Sequence, residues 1–214
     1  MSKRTAVLLL IVMAAGALGL LASRFAFQAP PRPTLPAPQA ITLLPTPRVL
    51  PRFSLQQANG APLTPDTLKG HWTVVFLGYT HCPDVCPTTL AQLSAAQKQW
   101  SSLPEASRPR VLFVSADPER DTPERVARYA RAFHPDSLAA TAPIPELEKF
   151  ARALSLVFMK SPDPEGGPDY AIDHSAALVL LDPQARMAGV AQPPFDIKGI
   201  ADDLAALSPK ATER

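Results

Sequence analysis

The chain has 214 residues, a length that suits one domain of ordinary size together with a further segment. Its formal net charge is only +2, and Lys3 and Arg4 account for that excess, so the remainder offers no basic face for nucleic acid. The chain contains 2 cysteines, which excludes a zinc site built from four thiolates of one chain.

Residues 1–28 are predicted to form an N-terminal membrane anchor. Residues 5–23 are uncharged, are mostly Leu, Ala, Val and Ile, and follow Lys3 and Arg4. A membrane-spanning helix needs about 17–25 such residues, and basic residues before it keep the N-terminus in the cytoplasm. We expect a single span in the inner (cytoplasmic) membrane and a domain on its periplasmic or extracytoplasmic side. A cleaved signal peptide is the alternative, although the apolar run is long for one.

Residues 29–51 are predicted to be a proline-rich linker. Eight of the 26 prolines of the chain lie in this stretch. Proline favours an extended, polyproline-like backbone that carries a domain away from a membrane without folding itself. The folded domain is accordingly placed at residues 52–214.

Apolar patterning predicts that this domain is α/β. Continuous apolar runs predict buried strands at residues 71–78, 111–115 and 177–181. Shorter strands are predicted at residues 53–55, 156–159 and 187–191, helices at 88–100, 145–154 and 197–207, and a loop at 161–169. Buried strands separated by helices indicate a central mixed sheet with a parallel core, covered on both faces.

Residues 117–124 are dense in charge and could suggest a metal site. Asp121 and Glu124, however, fit the D-x-x-E pattern of a helix N-cap, ahead of a helix that ends near Phe133. A capped helix with local ion pairs is therefore the favoured interpretation.

Both cysteines lie between a predicted strand and a predicted helix. Cys82 and Cys86 are separated by three residues, and Pro87 suits the first position of the helix. This spacing places Cys86 at the helix N-terminus, where the dipole and the unpaired N–H groups favour a thiolate. Two such thiolates either bind a soft metal ion or close a disulfide.

Imidazole is the other soft donor that the chain offers. The four histidines are His71, His81, His134 and His174. His174 directly precedes the strand predicted at residues 177–181, and functional residues of α/β sheets collect at strand ends. The side chain of His81 is expected to point away from that of neighbouring Cys82 on an extended loop, so we expect a packing role. His71 and His134 adjoin regular elements and are expected to be structural.

Two thiolates and one imidazole form a soft set of few donors, which suits Cu(I), whereas Zn(II) would require a fourth ligand. Cys82, Cys86 and His174 are thus the candidate metal ligands, and the two cysteines are also a candidate redox-active pair. Asp84 or Asp173 could orient one of these ligands through a hydrogen bond.

Four ordered motifs resemble the SCO/SenC family over residues 52–207. They are LKGHW at 68–72, FLGYTHCPDVCP at 76–87, VSADPERDTPE at 114–124 and YAIDHS at 170–175. The resemblance implies a thioredoxin-like fold, an N-terminal membrane anchor and one copper ion, Cu(I) or Cu(II), per domain. It also implies that Cys82, Cys86 and His174 bind that copper.

The implied role is to deliver copper to the binuclear copper centre of cytochrome c oxidase subunit II, or to reduce the thiols of that centre. A thioredoxin-like reductant would then be a second partner, which regenerates the cysteines. The membrane would be contacted through the N-terminal helix.

Two other interpretations of the cysteines remain open. One is a thiol–disulfide oxidoreductase or thiol peroxidase on the same fold, although such oxidoreductases resemble C-x-x-C rather than C-x-x-x-C. Residues 170–176 also lack the proline that these enzymes usually carry there. The other is a structural disulfide, which would close a very short loop and so constrain the unfolded chain little.

Overall fold

The computed structural model describes residues 38–162 and 170–208, together with residues 4, 13–19 and 23. The chain forms two compact units, Met1–Leu35 and Pro36–Arg214. In the first unit, residues 13–19 are helical. Most of the anchor predicted at residues 1–28 lies outside the described residues, and no helix within the described part is long and apolar enough to span a bilayer.

The second unit alternates strands and helices. Its described strands are β1 (Thr42–Arg48), β2 (Leu55–Gln56), β3 (Pro62–Leu63), β4 (Thr73–Gly78), β5 (Arg110–Ser115), β6 (Leu138–Ala140), β7 (Phe158–Pro162), β8 (Tyr170–His174), β9 (Leu178–Leu181) and β10 (Met187–Ala191). Its described helices are α1 (Val85–Trp100), α2 (Pro123–Phe133), α3 (Ile144–Ala153) and α4 (Ile197–Leu207), and short 3-10 turns lie at Asp66–Leu68 and Glu105–Ser107.

A six-stranded mixed sheet with the order β1-β10-β9-β4-β5-β6 is the centre of this unit. Strands β4, β5 and β6 are parallel, whereas β9 is antiparallel to β4 and β10. All six residues of β4 are buried, as continuous apolar runs predict for strands covered on both faces. The predicted mixed sheet with a parallel core is confirmed.

The ends of β4 and β5 create the platform for the site. In their parallel register Phe76 pairs with Phe113 and Gly78 pairs with Ser115. The carboxyl ends of these strands therefore lie side by side, and the loops that leave them meet at one edge of the sheet. The first of these loops carries Cys82.

The prediction that residues 29–51 form an extended linker differs from the structure. Strand β1 lies in this stretch and pairs antiparallel with β10, and Ile41 before it is buried. Strand β1 can contain proline because it is an edge strand, where a missing N–H is tolerated. The pairing register shifts between Leu43 and Arg48, the part of β1 that contains Pro45 and Pro47.

The helix starts also differ from the predicted ones. Helix α1 begins at Val85, so Pro87 is its third residue and still lies in the first turn, where no backbone N–H has an intrahelical partner. Cys86 is therefore inside the helix rather than in front of it. The N-cap of α2 is Thr122, whose hydroxyl oxygen accepts from the Arg125 N–H at 3.3 Å, and not Asp121.

A two-stranded antiparallel hairpin of β7 and β8 brings His174 to the sheet. The sequence predicted β7 only as residues 156–159 and predicted neither β6 nor β8. His174 is the last residue of β8 and pairs with Phe158, instead of simply preceding β9. The first two residues of the loop predicted at 161–169 belong to β7 instead. Residues 163–169 lie outside the described residues.

Candidate metal centre

The structure brings three soft ligand atoms together. The sulfur atoms of Cys82 and Cys86 and an imidazole nitrogen of His174 all lie within 4.8 Å of one another. Among the described residues, no other three His, Cys, Asp or Glu side chains bring their ligand atoms close enough together to hold one metal ion. Both cysteines are free thiols, so the sulfur atoms are available as ligands.

Three elements position these atoms. Cys82 lies in the loop after β4, Cys86 in the first turn of α1, and His174 at the end of β8. The Cys86 N–H donates to the Cys82 sulfur at 3.4 Å, and the Cys86 sulfur lies 3.4 Å from Nε2 of His174. The helix N-terminus therefore faces the loop sulfur, and the helix sulfur faces the imidazole.

Gly78, at the end of β4, leaves room for one of these sulfurs. A Cβ at this position would lie 2.7 Å from the Cys86 sulfur and 2.9 Å from the Phe113 ring. No side chain fits there without moving the sulfur or the ring. The absence of a side chain thus allows Cys86 to pack directly against the strand.

The two cysteines differ in protonation. The pKa of Cys82 is lowered to about 3, first because the Cys86 thiol donates to its sulfur, and further because the backbone N–H groups of Cys86 and Asp84 donate to it. The same hydrogen bond to Cys82, together with burial, raises the pKa of Cys86. The thiolate is therefore on Cys82, whereas the sequence predicted it on Cys86. The reason is that the Cys86 thiol and, to a smaller extent, the N–H groups at the helix start donate to the loop sulfur.

His174 presents a defined nitrogen to the cysteines. Its Nδ1 lies 3.2 Å from the Ser175 carbonyl oxygen, which can accept only from an Nδ1–H. That hydrogen bond leaves the lone pair on Nε2, which faces Cys86. The rings of Phe76 and Tyr79 contact the imidazole edge to face, with centroids 6.0 and 6.1 Å away, and hold its plane.

The two carboxylates that were predicted to orient a ligand do not do so. The side chain of Asp173 is exposed, and the Ser175 carbonyl takes the place beside Nδ1 of His174. Asp84 is also exposed, and its carboxylate accepts from the Thr88 hydroxyl at 3.3 Å. Because β8 alternates its side chains, the neighbour of an inward histidine points outward.

Asp121 supports the site although the sequence pattern suggested a helix cap. It is completely buried, and its carboxylate accepts from the Thr80 N–H at 2.8 Å, from the Thr80 hydroxyl and from the Ser115 hydroxyl. It therefore ties the cysteine loop to the end of β5. A signal was present, since Thr80 and Asp121 both lie in the motifs that resemble the SCO/SenC family.

The other histidines stay away from the sulfur atoms, as expected. His81 contacts Asp121 at 3.7 Å through Nδ1, and its Nε2 lies 3.3 Å from the Arg125 guanidinium. Nδ1 of His71 is 2.9 Å from the Arg108 carbonyl oxygen. His134 accepts from a backbone N–H two residues further on. All three make ordinary structural contacts.

Comparison with known proteins identifies the family and the fold. The SCO1/SenC family model matches residues 42–208. A Stutzerimonas stutzeri protein named for an inferred copper-binding role is 33% identical over 162 residues, which cover 75% of this chain and 77% of that protein. Arabidopsis thaliana ScoI with copper bound has a TM-score of 0.67 and 31% identity, covering 74% of this chain and 98% of that one. Apo Sco1 from Thermus thermophilus has a TM-score of 0.68 and 33% identity, covering 78% and 96%.

The chain spans about half the length of the mitochondrial relatives that it matches, for example 44% of the Arabidopsis thaliana SCO1 homolog 1 and 49% of the Bos taurus SCO2 homolog. The likeness to solved Sco domains confirms the predicted thioredoxin-like α/β fold with a central mixed sheet. Since the family model matches most of the chain and the relative from Stutzerimonas stutzeri aligns over most of its own length, the chain belongs to the SCO1/SenC family.

Proposed function

We propose that this protein is a membrane-anchored copper metallochaperone. The observation that carries the proposal is the cluster of Cys82, Cys86 and His174, whose ligand atoms lie within 4.8 Å of one another. Two sulfurs and one imidazole are the donors that copper prefers, and zinc in a structural site would take four ligands. The copper-bound state of a relative 31% identical in sequence supports the same cargo.

The cluster has the properties that transfer of an ion requires. Cys82 is half-buried, so a donor from a partner protein can reach a metal ion held there, while Cys86 is fully buried and remains on the protein side. A thiolate on Cys82 binds metal without first losing a proton. Three protein donors leave a further coordination position through which the ion can pass to a recipient.

The recipient that the family resemblance implies is the binuclear copper centre of cytochrome c oxidase subunit II. Delivery to a membrane-bound oxidase requires the domain to be held at the membrane surface. Lys3 and Arg4 followed by the uncharged residues 5–23 would supply that anchor, residues 29–35 a tether, and the remainder the copper-binding domain. Fractionation of cells that express the full chain should find it in the inner membrane. A shortened protein free in the periplasm would contradict the anchor.

The proposal is tested by copper content. The reduced protein should bind one copper ion per chain, and Cys82→Ala and Cys86→Ala should each abolish stable binding, because one thiolate and one imidazole form a poor soft site. His81→Ala is a matched control, since that histidine adjoins Cys82 but points to Asp121. Unchanged stoichiometry in Cys82→Ala would overturn the assignment.

A second candidate function is favoured by the protonation of the pair. A half-buried thiolate beside a buried thiol can reduce a partner disulfide. The Cys82 thiolate would attack one partner sulfur, which breaks the partner disulfide, forms a mixed disulfide and expels the other partner sulfur as a thiolate. Cys86, whose proton passes to that thiolate, would then attack the Cys82 sulfur. This breaks the mixed disulfide, joins Cys82 to Cys86 and releases the reduced partner with one thiol and one thiolate. Reductase activity that persists in His174→Ala while Cu(II) binding is lost would favour this function, because Cu(II) binding needs the imidazole and disulfide reduction does not.

A further inference from the structure

Arg120 contacts the first residue of the strand that ends in His174. Its Nη1 donates to the Tyr170 carbonyl oxygen at 3.0 Å, and the carbon of its guanidinium group lies 3.7 Å from the centroid of the Tyr170 ring. Tyr170 begins β8, and His174 ends it. One side chain therefore holds both the main chain and the ring of the residue from which the ligand-bearing strand starts.

The arginine is itself fixed to the central sheet. Asp117, which follows β5 and is 1% exposed, accepts from Nε of Arg120 and, at 2.8 Å, from the Tyr170 hydroxyl. Asp117, Arg120 and Tyr170 thus each contact the other two. Strand β8 is tied to the end of β5 through these contacts.

The contacts of the Arg120 guanidinium group require a planar side chain, such as that of arginine, rather than the ammonium of lysine. Its central carbon also lies 5.8 Å from the ring of Tyr79, and that ring contacts the imidazole of His174 edge to face. Nη2 of Arg120 is buried and has no hydrogen-bond partner among the described residues. Stacking against the aromatic rings therefore helps to hold the Arg120 guanidinium group. The ammonium group of lysine is not planar and cannot stack on a ring in the same way.

We propose that Arg120 is a positioning residue that keeps His174 within reach of the two cysteines by docking β8. The proposal rests on the proposed function, because it concerns the imidazole of the copper site. Strands β7 and β8 form a sheet separate from the central one, and an isolated two-stranded hairpin is only marginally stable. Without the contacts of Arg120, the hairpin would keep its own pairing and the hydrogen bond from the Tyr170 hydroxyl to Asp117. The start of β8 would be held less firmly, so the distance between His174 and Cys86 would vary more.

Copper binding of variants tests the proposal. Arg120→Gln should lower the Cu(II) affinity by about tenfold, the lower end of what loss of a supporting contact does to a metal site. Cu(I) affinity should change by less than about threefold, because two thiolates suffice for that ion. Arg120→Lys should behave like Arg120→Gln. The matched control is Arg186→Gln, which also removes an arginine from a buried aspartate, Asp182, in the turn between β9 and β10.

A double-mutant cycle separates positioning from a general effect on stability. In a His174→Ala background, Arg120→Gln should cause no further loss of Cu(II) affinity, and the Cu(II) electron paramagnetic resonance spectrum of Arg120→Gln should shift toward that of His174→Ala. Additive losses in the cycle, or a wild-type spectrum and affinity in Arg120→Gln, would overturn the proposal. So would full rescue by Arg120→Lys, which would show that only charge is needed.

Hydrogen exchange of the metal-free protein gives a readout that does not depend on copper. Amides of β8 should exchange faster in Arg120→Gln than in the wild type, whereas amides of α4 should be unchanged. Equal exchange of β8 in both proteins would contradict the docking role. If the wild-type protein bound no copper, the proposed function would fail, and the exchange experiment would still decide whether Arg120 docks the hairpin.

Discussion

A Cβ atom on Gly78 would lie 2.7 Å from the sulfur of Cys86. The strand end and the helix start are therefore in direct contact through a position that has no side chain. This contact sets how deeply the sulfur lies, and with it the distance of 3.4 Å between that sulfur and Nε2 of His174.

The first prediction is that Gly78→Ala impairs the metal site as well as the fold. The new methyl group must displace the sulfur or the Phe113 ring, so copper affinity and the denaturation midpoint should both fall. Gly189→Ala is the control, since its Cβ would lie 2.8 Å from the Thr42 carbonyl oxygen, in the sheet pairing between β1 and β10. It should lower the midpoint without changing copper affinity. Equal copper affinities in both variants would contradict the role of Gly78.

The second prediction concerns the buried carboxylate of Asp121. In Asp121→Asn, the amide oxygen can still accept from the Thr80 N–H and the Ser115 hydroxyl, but the NH₂ group then faces the Thr80 hydroxyl, which can accept from only one of its two N–H bonds. A buried donor left without an acceptor costs about 1–3 kcal/mol, so chemical denaturation should show a loss of that size. Asp66→Asn, in an exposed ion pair with Lys69, should leave the denaturation midpoint unchanged. A wild-type midpoint in Asp121→Asn would contradict the argument.

The third prediction is that alkylation modifies Cys82 before Cys86. Cys82 is half-buried and its pKa is lowered to about 3, whereas Cys86 is 0% exposed and its pKa is raised. Between pH 8 and pH 5 the thiolate of Cys82 persists, so its reaction with iodoacetamide should hardly slow. An ordinary thiol slows about tenfold for each pH unit below its pKa. Peptide mass spectrometry measures the site and the rate.

Glutathione at the same pH values is the control for that measurement. First modification at Cys86, or a rate at Cys82 that falls in parallel with glutathione, would contradict the assignment of the thiolate.

The fourth prediction is that copper and a disulfide exclude each other. Diamide removes two electrons from the sulfurs of Cys82 and Cys86, takes one proton from the Cys86 thiol and one from solvent, and leaves the two sulfurs joined. A disulfide sulfur is a far poorer ligand than a thiolate. The oxidised protein should therefore show no stable binding in titrations with Cu(I) or Cu(II), and a dithiol should restore it. Equally tight binding before and after oxidation would show that the thiolates are not the ligands.

The parts of this fold that follow from local chemistry could be predicted from the sequence. Strands β4 and β5 are buried on both faces, so their sequences are almost continuously apolar, and this pattern predicts them. The pairing of Cys82 with Cys86 depends only on a spacing of four at the start of a helix. The sequence did not predict strand β1, because Pro45 and Pro47 are as compatible with an unpaired linker as with an edge strand.

The remaining parts depend on contacts between distant segments. His174 meets Cys86 across 88 positions, through a hairpin whose second strand shows no clear apolar alternation. Asp121 resembles a helix cap in sequence, and only the packing of β5 beside the cysteine loop shows that it is buried under Thr80. The protonation of the cysteines likewise depends on which sulfur the helix N–H groups face.

The most direct test of the central claim is X-ray absorption spectroscopy at the copper edge of the copper-loaded, reduced protein. Copper held by Cys82, Cys86 and His174 should show two sulfur neighbours at about 2.3 Å and one nitrogen neighbour at about 2.0 Å, close to the distances that thiolate and imidazole make to zinc. His174→Ala should lose the nitrogen contribution and keep both sulfurs. A first shell without sulfur, or an unchanged spectrum in Cys82→Ala, would contradict the account.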